Sequence, residues 1–517
     1  LKKLYKTKDN IFIWTGGFNT ISNPTDFDYK SYDKKFIYIK VLDGKVIIYT
    51  DHYSRIPLYY YYDKDQFLFS TSLQLLYKNL NTLEFSINND SLLFYYNYGF
   101  MGNGQSLIKS ISSLPANKKL TFSTRLNTLK ILSYRKYINK NYALSNNDLY
   151  ENASLLNDNL YNSTKETIKN FNKIGISISG GVDSGYLAQK LHQCKKDFSA
   201  YTVCYKDTYN EIERVDYIAK KLSFSVKKII IDEHDIIKNF FKCSETSSAP
   251  MYFNNSILNF VYKHASNDDI DIIFDGDGVD RIFLGSNGFL KLNIFLKIYR
   301  YSRYFNFHKL IPKIIKNLNF NKFKKIFFHF NRYNEQFPFH GERILTNFND
   351  YDTNFEKFLN EISVPNELNQ YKNEDDWLFF SCFALHYIGN LFFHDQYELQ
   401  LQQKLVSNPH FFNDFIIDMA FSIPNNQKIF KNKGKAIIKE AAKINFNNKY
   451  WELKKIGLDN AFSYIYKKKH GYEFINDHVN MVLKTDEYMF LKRTMNHEKI
   501  DPKRLIPYII WKKNIYK

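Results

Sequence analysis

The sequence predicts two architectures in one chain: an antiparallel α+β part at the N-terminus, then a doubly wound parallel α/β part with a helical C-terminal region. Three observations predict this. Short apolar runs joined by tight turns fill the first third. From residue 174 onward, β-type runs alternate with amphipathic helical segments. The first of those runs ends in a glycine turn that opens directly into a helix.

In chain order, residues 36–41 and 45–50 read as strands joined by the hairpin signal Asp43-Gly44. Residues 58–62 and 66–71 form a second hairpin around Asp63-Lys64-Asp65. Residues 72–78 and 91–98 read as helices, and 119–123 and 129–133 as further strands. This unit is assigned to residues 1–144 and the remainder to 145–517. Ser145-Asn-Asn-Asp148 opens a long helix reaching about Lys169.

The apolar run Ile174–Ile178 leads into Ser179-Gly180-Gly181-Val182-Asp183-Ser184. Glycines admit a ligand close to the backbone, and the helix start beyond them offers free N–H groups and the positive dipole end, which suits a phosphate. Ser179 and Ser184 add hydroxyls, and Asp183 can hold a metal carried by that phosphate. The spacing is not that of a Walker A loop, which ends in Gly-Lys-Ser/Thr. A strand over 198–204, a helix over 210–222 and a strand over 227–232 follow. Such alternation implies a parallel sheet whose ligands sit at the carboxyl ends of its strands. A second glycine turn, Asp275-Gly276-Asp277-Gly278-Val279-Asp280-Arg281, follows another β-type run. Without a ligand the first string is a plain strand-to-helix turn, and the second a solvated acidic turn.

The first string resembles the Ser-Gly-Gly-x-Asp-Ser loop of ATP pyrophosphatases, enzymes that split ATP between its α and β phosphates. The second resembles the Ser-Gly-(Glu/Asp)-Gly-x-Asp-Glu-x-Phe motif of asparagine synthetases, with Asp275 in place of Ser and Arg281 in place of Glu. Asn408-Pro-His-Phe411-Phe412-Asn413 with Ile423-Pro424, and Gly434-Lys435-Ala-Ile437-Ile438, are similar to later segments of that family. Thr50-Asp51-His-Tyr-Ser-Arg55-Ile-Pro57, Phe69-Ser70-Thr71 and Leu114-Pro115 are similar to its glutaminase domain.

The resemblance implies an Ntn-hydrolase-like N-terminal domain and an adenine nucleotide α-hydrolase-like synthetase domain. It implies ATP and Mg²⁺ as cofactors. Ser177, Ser179, Gly180, Gly181, Asp183, Ser184, Val203 and Gly276 would contact ATP or its pyrophosphate, and Asp183 and Asp280 would hold the metal. Asp277 and Lys435 would serve acyl transfer, although a lysine at a helix start is also a common surface charge. The implied reaction adenylates a carboxylate, releases pyrophosphate and passes the acyl group to ammonia or an amine with loss of AMP. Asparagine synthesis, lasso-peptide-type macrolactam or β-lactam formation, and amidation of a surface-polysaccharide sugar all stay open. Arg281 puts the family's usual substrate in question. A tRNA-modifying pyrophosphate-loop enzyme and a non-catalytic binding protein are the competing classes. The family's glutaminase nucleophile is an N-terminal cysteine, whereas this sequence starts at Leu1 and has no cysteine before Cys194. The expectation is a degenerate glutaminase-like domain that does not use glutamine, unless the natural N-terminus lies upstream.

The net charge of +19 favours an anionic partner, but the abundance of Asn, Lys, Tyr and Phe also fits an AT-rich coding bias, so nucleic acid is not inferred. Four scattered cysteines without C-x-x-C spacing suit a reducing cytoplasm and argue against a zinc site or disulfide frame. The apolar run 377–393 is too short and too polar for a membrane span and is expected to be a buried helix. From Ser286 to Asn334 there are eleven Lys or Arg and no acid, interleaved with aromatics. This basic helical insert, about 286–340, is either a docking surface for a precursor peptide or polyanion, or a subdomain with an aromatic core and solvated lysines.

Overall fold

The computed structural model describes most of residues 34–285 and 385–515, with two short strands nearer the N-terminus. Residues 302–384 and 444–460 lie outside the described residues. The N-terminal part holds a six-stranded antiparallel sheet in the order β1-β2-β3-β4-β8-β9. Its strands are β1 (Leu4–Lys6), β2 (Ile11–Trp14), β3 (Ile37–Leu42), β4 (Lys45–Thr50), β8 (Lys118–Ser123) and β9 (Thr128–Ser133). Asp43 and Gly44 both take positive φ, 44° and 74°, which closes the tight β3–β4 hairpin with the twist that type I′ turns match. Strands β5 (Tyr59–Tyr62) and β6 (Phe67–Ser70) form the second hairpin, and β7 (Ser112–Ser113) pairs with β5 to make a three-stranded sheet. The β5–β6 turn closes on Asp63, whose Oδ1 accepts the N–H groups of Asp65 and Gln66 at 2.8 Å each.

The second part is built on a five-stranded, all-parallel sheet in the order β12-β11-β10-β13-β14. Its strands are β10 (Ile174–Ser177), β11 (Phe198–Tyr205), β12 (Val226–Ile231), β13 (Ile272–Asp275) and β14 (Val406–Pro409). Ile174, Ile176 and Ile178 are buried, each contributing roughly 1.5–3 kcal/mol of transfer free energy. Helix Leu149–Ile168, capped by Asp148, lays Leu156 and Leu160 in the same core. Strand order runs outward from β10 in both directions and reverses between β10 and β13. Sheets of this kind open a ligand crevice at the carboxyl ends flanking such a point.

Strand β14 is not evident from the sequence. Val406-Ser-Asn-Pro409 is short and half polar, but as an edge strand it tolerates proline, and the buried Lys35 ammonium donates to the Ser407 carbonyl at 2.9 Å. Packing joins elements from before and after residue 144. Leu73, Leu76, Leu92 and Phe94 share one apolar cluster with Val482, Leu491, Leu505 and Trp511 near the other end of the chain. Of the apolar run 377–393, residues 377–384 lie outside the described residues. Its end is a π-helix, Gly389–Phe393, with Phe393 buried. No helix among the described residues is long and apolar enough to cross a membrane. Nearly all of the basic 286–334 segment lies outside the described residues.

Candidate functional site

The two glycine turns meet at the carboxyl ends of the adjacent strands β10 and β13. After β10 the chain enters helix Val182–Gln193, which Gly181 caps with no side-chain hydrogen bond. The loop is braced internally instead. The Ser179 N–H donates to Ser184 Oγ at 3.0 Å, Ser184 Oγ donates to the Ser179 carbonyl at 2.8 Å, and the two hydroxyls lie 3.2 Å apart. Ser177 closes β10 and pairs with Tyr201, and Val203 is buried two residues further along β11.

Gly276 is where the turns touch. A Cβ there would lie 2.9 Å from the Ser184 backbone nitrogen and 3.1 Å from the Asp183 carbonyl carbon, so only glycine lets the turns approach this closely. Gly278 has φ +91°, and a Cβ on it would lie 1.8 Å from the Phe412 ring. Phe412 is itself fixed from the N-terminal part: Arg55 Nη1 donates to its carbonyl at 3.0 Å, and the Tyr53 ring meets its ring edge-on at 5.8 Å. Arg55 is in turn held by Asp51 through its Nε and backbone N–H, each at 3.0 Å.

Lys435 joins the two turns electrostatically. Its Nζ lies 2.5 Å from Asp183 Oδ2 and 2.6 Å from Asp280 Oδ1. The residue is only 5% exposed and sits in the left-handed region at φ +57°, a backbone strain of order 1–3 kcal/mol that the surroundings must hold. Two glycines make room for it. A Cβ on Gly285 would strike Lys435 Cε at 2.0 Å, and one on Gly434 would lie 2.3 Å from the Leu284 carbonyl oxygen. Burial alone would lower the lysine's pKa, but Asp183 and Asp280 outweigh it and hold the ammonium above its ordinary value.

Asp277 is partly buried beside this bridge. Its Oδ2 accepts from Gln396 Nε2 at 2.7 Å, and its N–H donates to Asp275 Oδ1 at 3.1 Å. Burial first, then the neighbouring Asp275 and Asp183, push its carboxyl well above the usual range. Arg281 lies in the short helix Val279–Ile282 and is partly exposed. The structure thus brings together Ser179–Ser184, Gly276, Asp277, Asp280 and Lys435, with Ser177 and Val203 on the adjoining strands.

Sequence reasoning missed Gln396, Lys35, Gly285 and the support given by Arg55 and Phe412. His394 and Asp395, at the start of helix His394–Gln403, are held structurally: the buried His394 Nε2 meets the Ser54 carbonyl at 2.9 Å and the partly buried Asp395 accepts from Asn255 at 2.6 Å. Gln396, the next residue, is the one that reaches the site. No motif marks a lone glutamine, so no sequence signal identified it.

The asparagine synthase family model matches residues 155–501. Two proteins of Methanocaldococcus jannaschii, whose names assign them provisionally as glutamine-hydrolysing asparagine synthetases, are similar. One is 22% identical over 249 residues, 47% of each chain, and the other 27% identical over 183 residues, 35% of this chain and 33% of that protein. The match to this chain therefore spans about half the length of the first relative and a third of the second. Among solved structures, an NH3-dependent NAD synthetase from Campylobacter jejuni has a TM-score of 0.20 at 18% identity, covering 44% of this chain and 92% of its own. The U34-tRNA thiolase NcsA from Methanococcus maripaludis has a TM-score of 0.21 at 14% identity, covering 46% and 79%. The family match extends over most of the sequence and includes both glycine turns and Lys435, and the chain belongs to the asparagine synthase family.

Proposed function

We propose that the chain is an ATP-dependent amide-forming ligase. A substrate carboxylate attacks the α-phosphorus of ATP, pyrophosphate leaves, and ammonia or an amine then displaces AMP from the acyl-adenylate. The observation that carries this reading is the Asp183–Lys435–Asp280 bridge that joins the turns after β10 and β13. In this reading the uncapped start of helix Val182–Gln193 and the Ser179 and Ser184 hydroxyls receive the pyrophosphate. Lys435 meets charge that grows on the phosphates and on the tetrahedral intermediate. Asp277 faces the acyl-transfer step. Gly276, Ser177 and Val203 border the adenosine.

The residues fit a magnesium ion of the kind that rides on phosphates. Such an ion takes one or two carboxylates and completes its shell from water and phosphate oxygens. Asp183 and Asp280 are two carboxylates on facing turns, and one ammonium between them leaves a net negative charge. Bound there, the metal would neutralise charge on the leaving pyrophosphate.

Other elements of the reading follow the family. Residues 1–144 act as a degenerate, glutaminase-like Ntn-type domain, residues 145–517 as the synthetase, and the enzyme works in the cytoplasm. The test is Asp183→Asn and Asp280→Asn in the purified chain. Each should abolish pyrophosphate release from MgATP supplied with L-aspartate and ammonium while leaving the thermal midpoint within a few degrees. Near-normal release by either variant refutes the site.

A further inference from the structure

A second cleft lies where the N-terminal part meets helix Leu149–Ile168 and the loop after β14. It is partly open to solvent and spans about 370 Å³ with its mouth included. The N-terminal part contributes Lys34, Lys35 and Arg55 to its lining, the helix contributes Ser163 and Thr167, and the loop contributes Asn408. No carboxylate lines it. Asp51, the acid that holds Arg55, is fully buried and stands outside the lining. Like charges gathered in a partly enclosed space repel one another, and an anion placed among them relieves that repulsion.

The neutral lining supplies donors. Thr167 is 6% exposed, and its hydroxyl makes no hydrogen bond among the described residues. A hydroxyl at that depth is costly to leave unmatched, and a ligand in the cleft would complete it. Ser163 Oγ accepts from Asn413 Nδ2 at 3.2 Å, which leaves its own proton to give. His410 orients the Asn408 amide. The Thr164 hydroxyl donates to the Leu160 carbonyl at 2.7 Å and so accepts from His410 Nε2 at 3.0 Å, which makes His410 Nδ1 the acceptor for Asn408 Nδ2 at 3.1 Å. Lys35 offers charge rather than a hydrogen bond, because its Nζ already donates to the Ser407 carbonyl at 2.9 Å, to Ser407 Oγ at 3.2 Å and to Gln400 Oε1 at 3.3 Å.

We propose that this cleft binds a small tetrahedral oxyanion of the phosphate type, held between the cations of the N-terminal part and the hydroxyls of helix Leu149–Ile168. None of its lining residues belongs to either glycine turn, and the inference needs no part of the amide-forming reading. The anion ties the two parts of the chain together at the point where Arg55 holds the Phe412 carbonyl, and so supports the contact of Phe412 with the second turn. It also acts on Lys35. Burial and then Arg55 hold that ammonium down to about 7, while Asp275 and Asp51 act in the opposite sense and Lys34 adjoins it in the chain. An anion favours the charged form, so binding weakens as pH rises through 7 and Lys35 loses its proton.

Titration calorimetry of the full chain with sulfate tests this, at an ionic strength held constant with chloride. Sulfate does not titrate near neutrality, so a pH dependence belongs to the protein. The wild type should show saturable binding whose affinity falls severalfold from pH 6 to pH 8. Thr167→Val keeps the side-chain shape and removes the hydroxyl; Lys34→Gln removes one partly exposed charge. Each should weaken sulfate binding about 10-fold while the thermal midpoint in chloride stays close to wild type. Ser184→Ala, in the first glycine loop, is the control and should leave this binding unchanged. Inorganic phosphate and glycerol phosphate, titrated in parallel, identify the ligand's form: binding of both marks a site that takes phosphate monoesters, and binding of phosphate alone marks a site for the free ion. Sulfate binding that survives both cleft variants, or that is lost in Ser184→Ala instead, overturns the proposal. So does the absence of saturable binding by all three anions.

Discussion

Replacing Gly276 with alanine tests the close approach of the two turns directly. The added Cβ would lie 2.9 Å from the Ser184 backbone nitrogen, whereas ordinary contact begins at 3.4 Å. The first loop and the second turn must therefore part by about half an ångström, because the atom in the way is backbone and cannot rotate aside. Overpacking of this kind typically costs about 1–3 kcal/mol. The larger effect falls on geometry: a displacement approaching 1 Å at a reacting centre lowers rates by about 100-fold, so a 10- to 100-fold loss is expected here. Gly175→Ala is the matched control. Its Cβ would lie 3.0 Å from Ile270 Cγ2, a side-chain methyl at the far end of β10, so it should lower the thermal midpoint with little change in rate per folded molecule. The assay is pyrophosphate release from MgATP with L-aspartate and ammonium, normalised to the folded fraction. Normal turnover by Gly276→Ala at an unchanged midpoint would refute the claim that the turns are held at contact distance.

Two further perturbations follow from the same geometry. Lys435→Ala removes the ammonium from between Asp183 and Asp280; breaking a buried pair costs about 3–5 kcal/mol, and partial exposure of both acids puts this case toward the lower end. Its kcat should fall about 100-fold with a smaller change in KM for ATP, and a pure KM effect would make it a simple phosphate anchor. Burial pushes Asp395 up to about 7 and Glu398 up to about 8, whereas in the unfolded chain both titrate near 4. The folded protein therefore holds extra protons across that window, and their contribution is present below about pH 4 and lost as pH rises through 7 and 8. Lys35, lowered to about 7 by burial, acts in the opposite sense above neutrality. Urea midpoints measured from pH 5 to 8 should fall, and Asp395→Asn with Glu398→Gln should flatten the decline; an identical slope in the double variant would disprove the assignment.

Much of this site is legible in the sequence because its chemistry is local. Ser179 to Ser184 and Asp275 to Asp280 each lie within one strand–turn–helix unit, where glycine spacing and apolar runs fix the backbone before tertiary structure exists. Lys435 is legible only through family resemblance. Its role depends on Gly285 and Gly434 clearing a path, and a glycine in a sequence does not reveal which distant atom it makes room for. Lys35 and Gln396 carry no local signal at all. Each gains meaning from a partner on another element, Ser407 for the one and Asp277 for the other. Strand β14 was missed for a related reason: four residues of mixed polarity become a strand only when a sheet edge is offered to them.

The contact between Gly278 and Phe412 has a consequence for how this chain can be divided. Phe412 presses on the second turn from one side and is tied through its carbonyl to Arg55 on the other. The Tyr53 and Arg55 side chains therefore act as a wall of the mould in which the second glycine turn is set. Expressed alone, the later residues would present Phe412 with its carbonyl donor missing and the Tyr53 ring gone. A graft of a foreign N-terminal segment would need to carry the Asp51–Arg55 corner with it, whatever else it replaced.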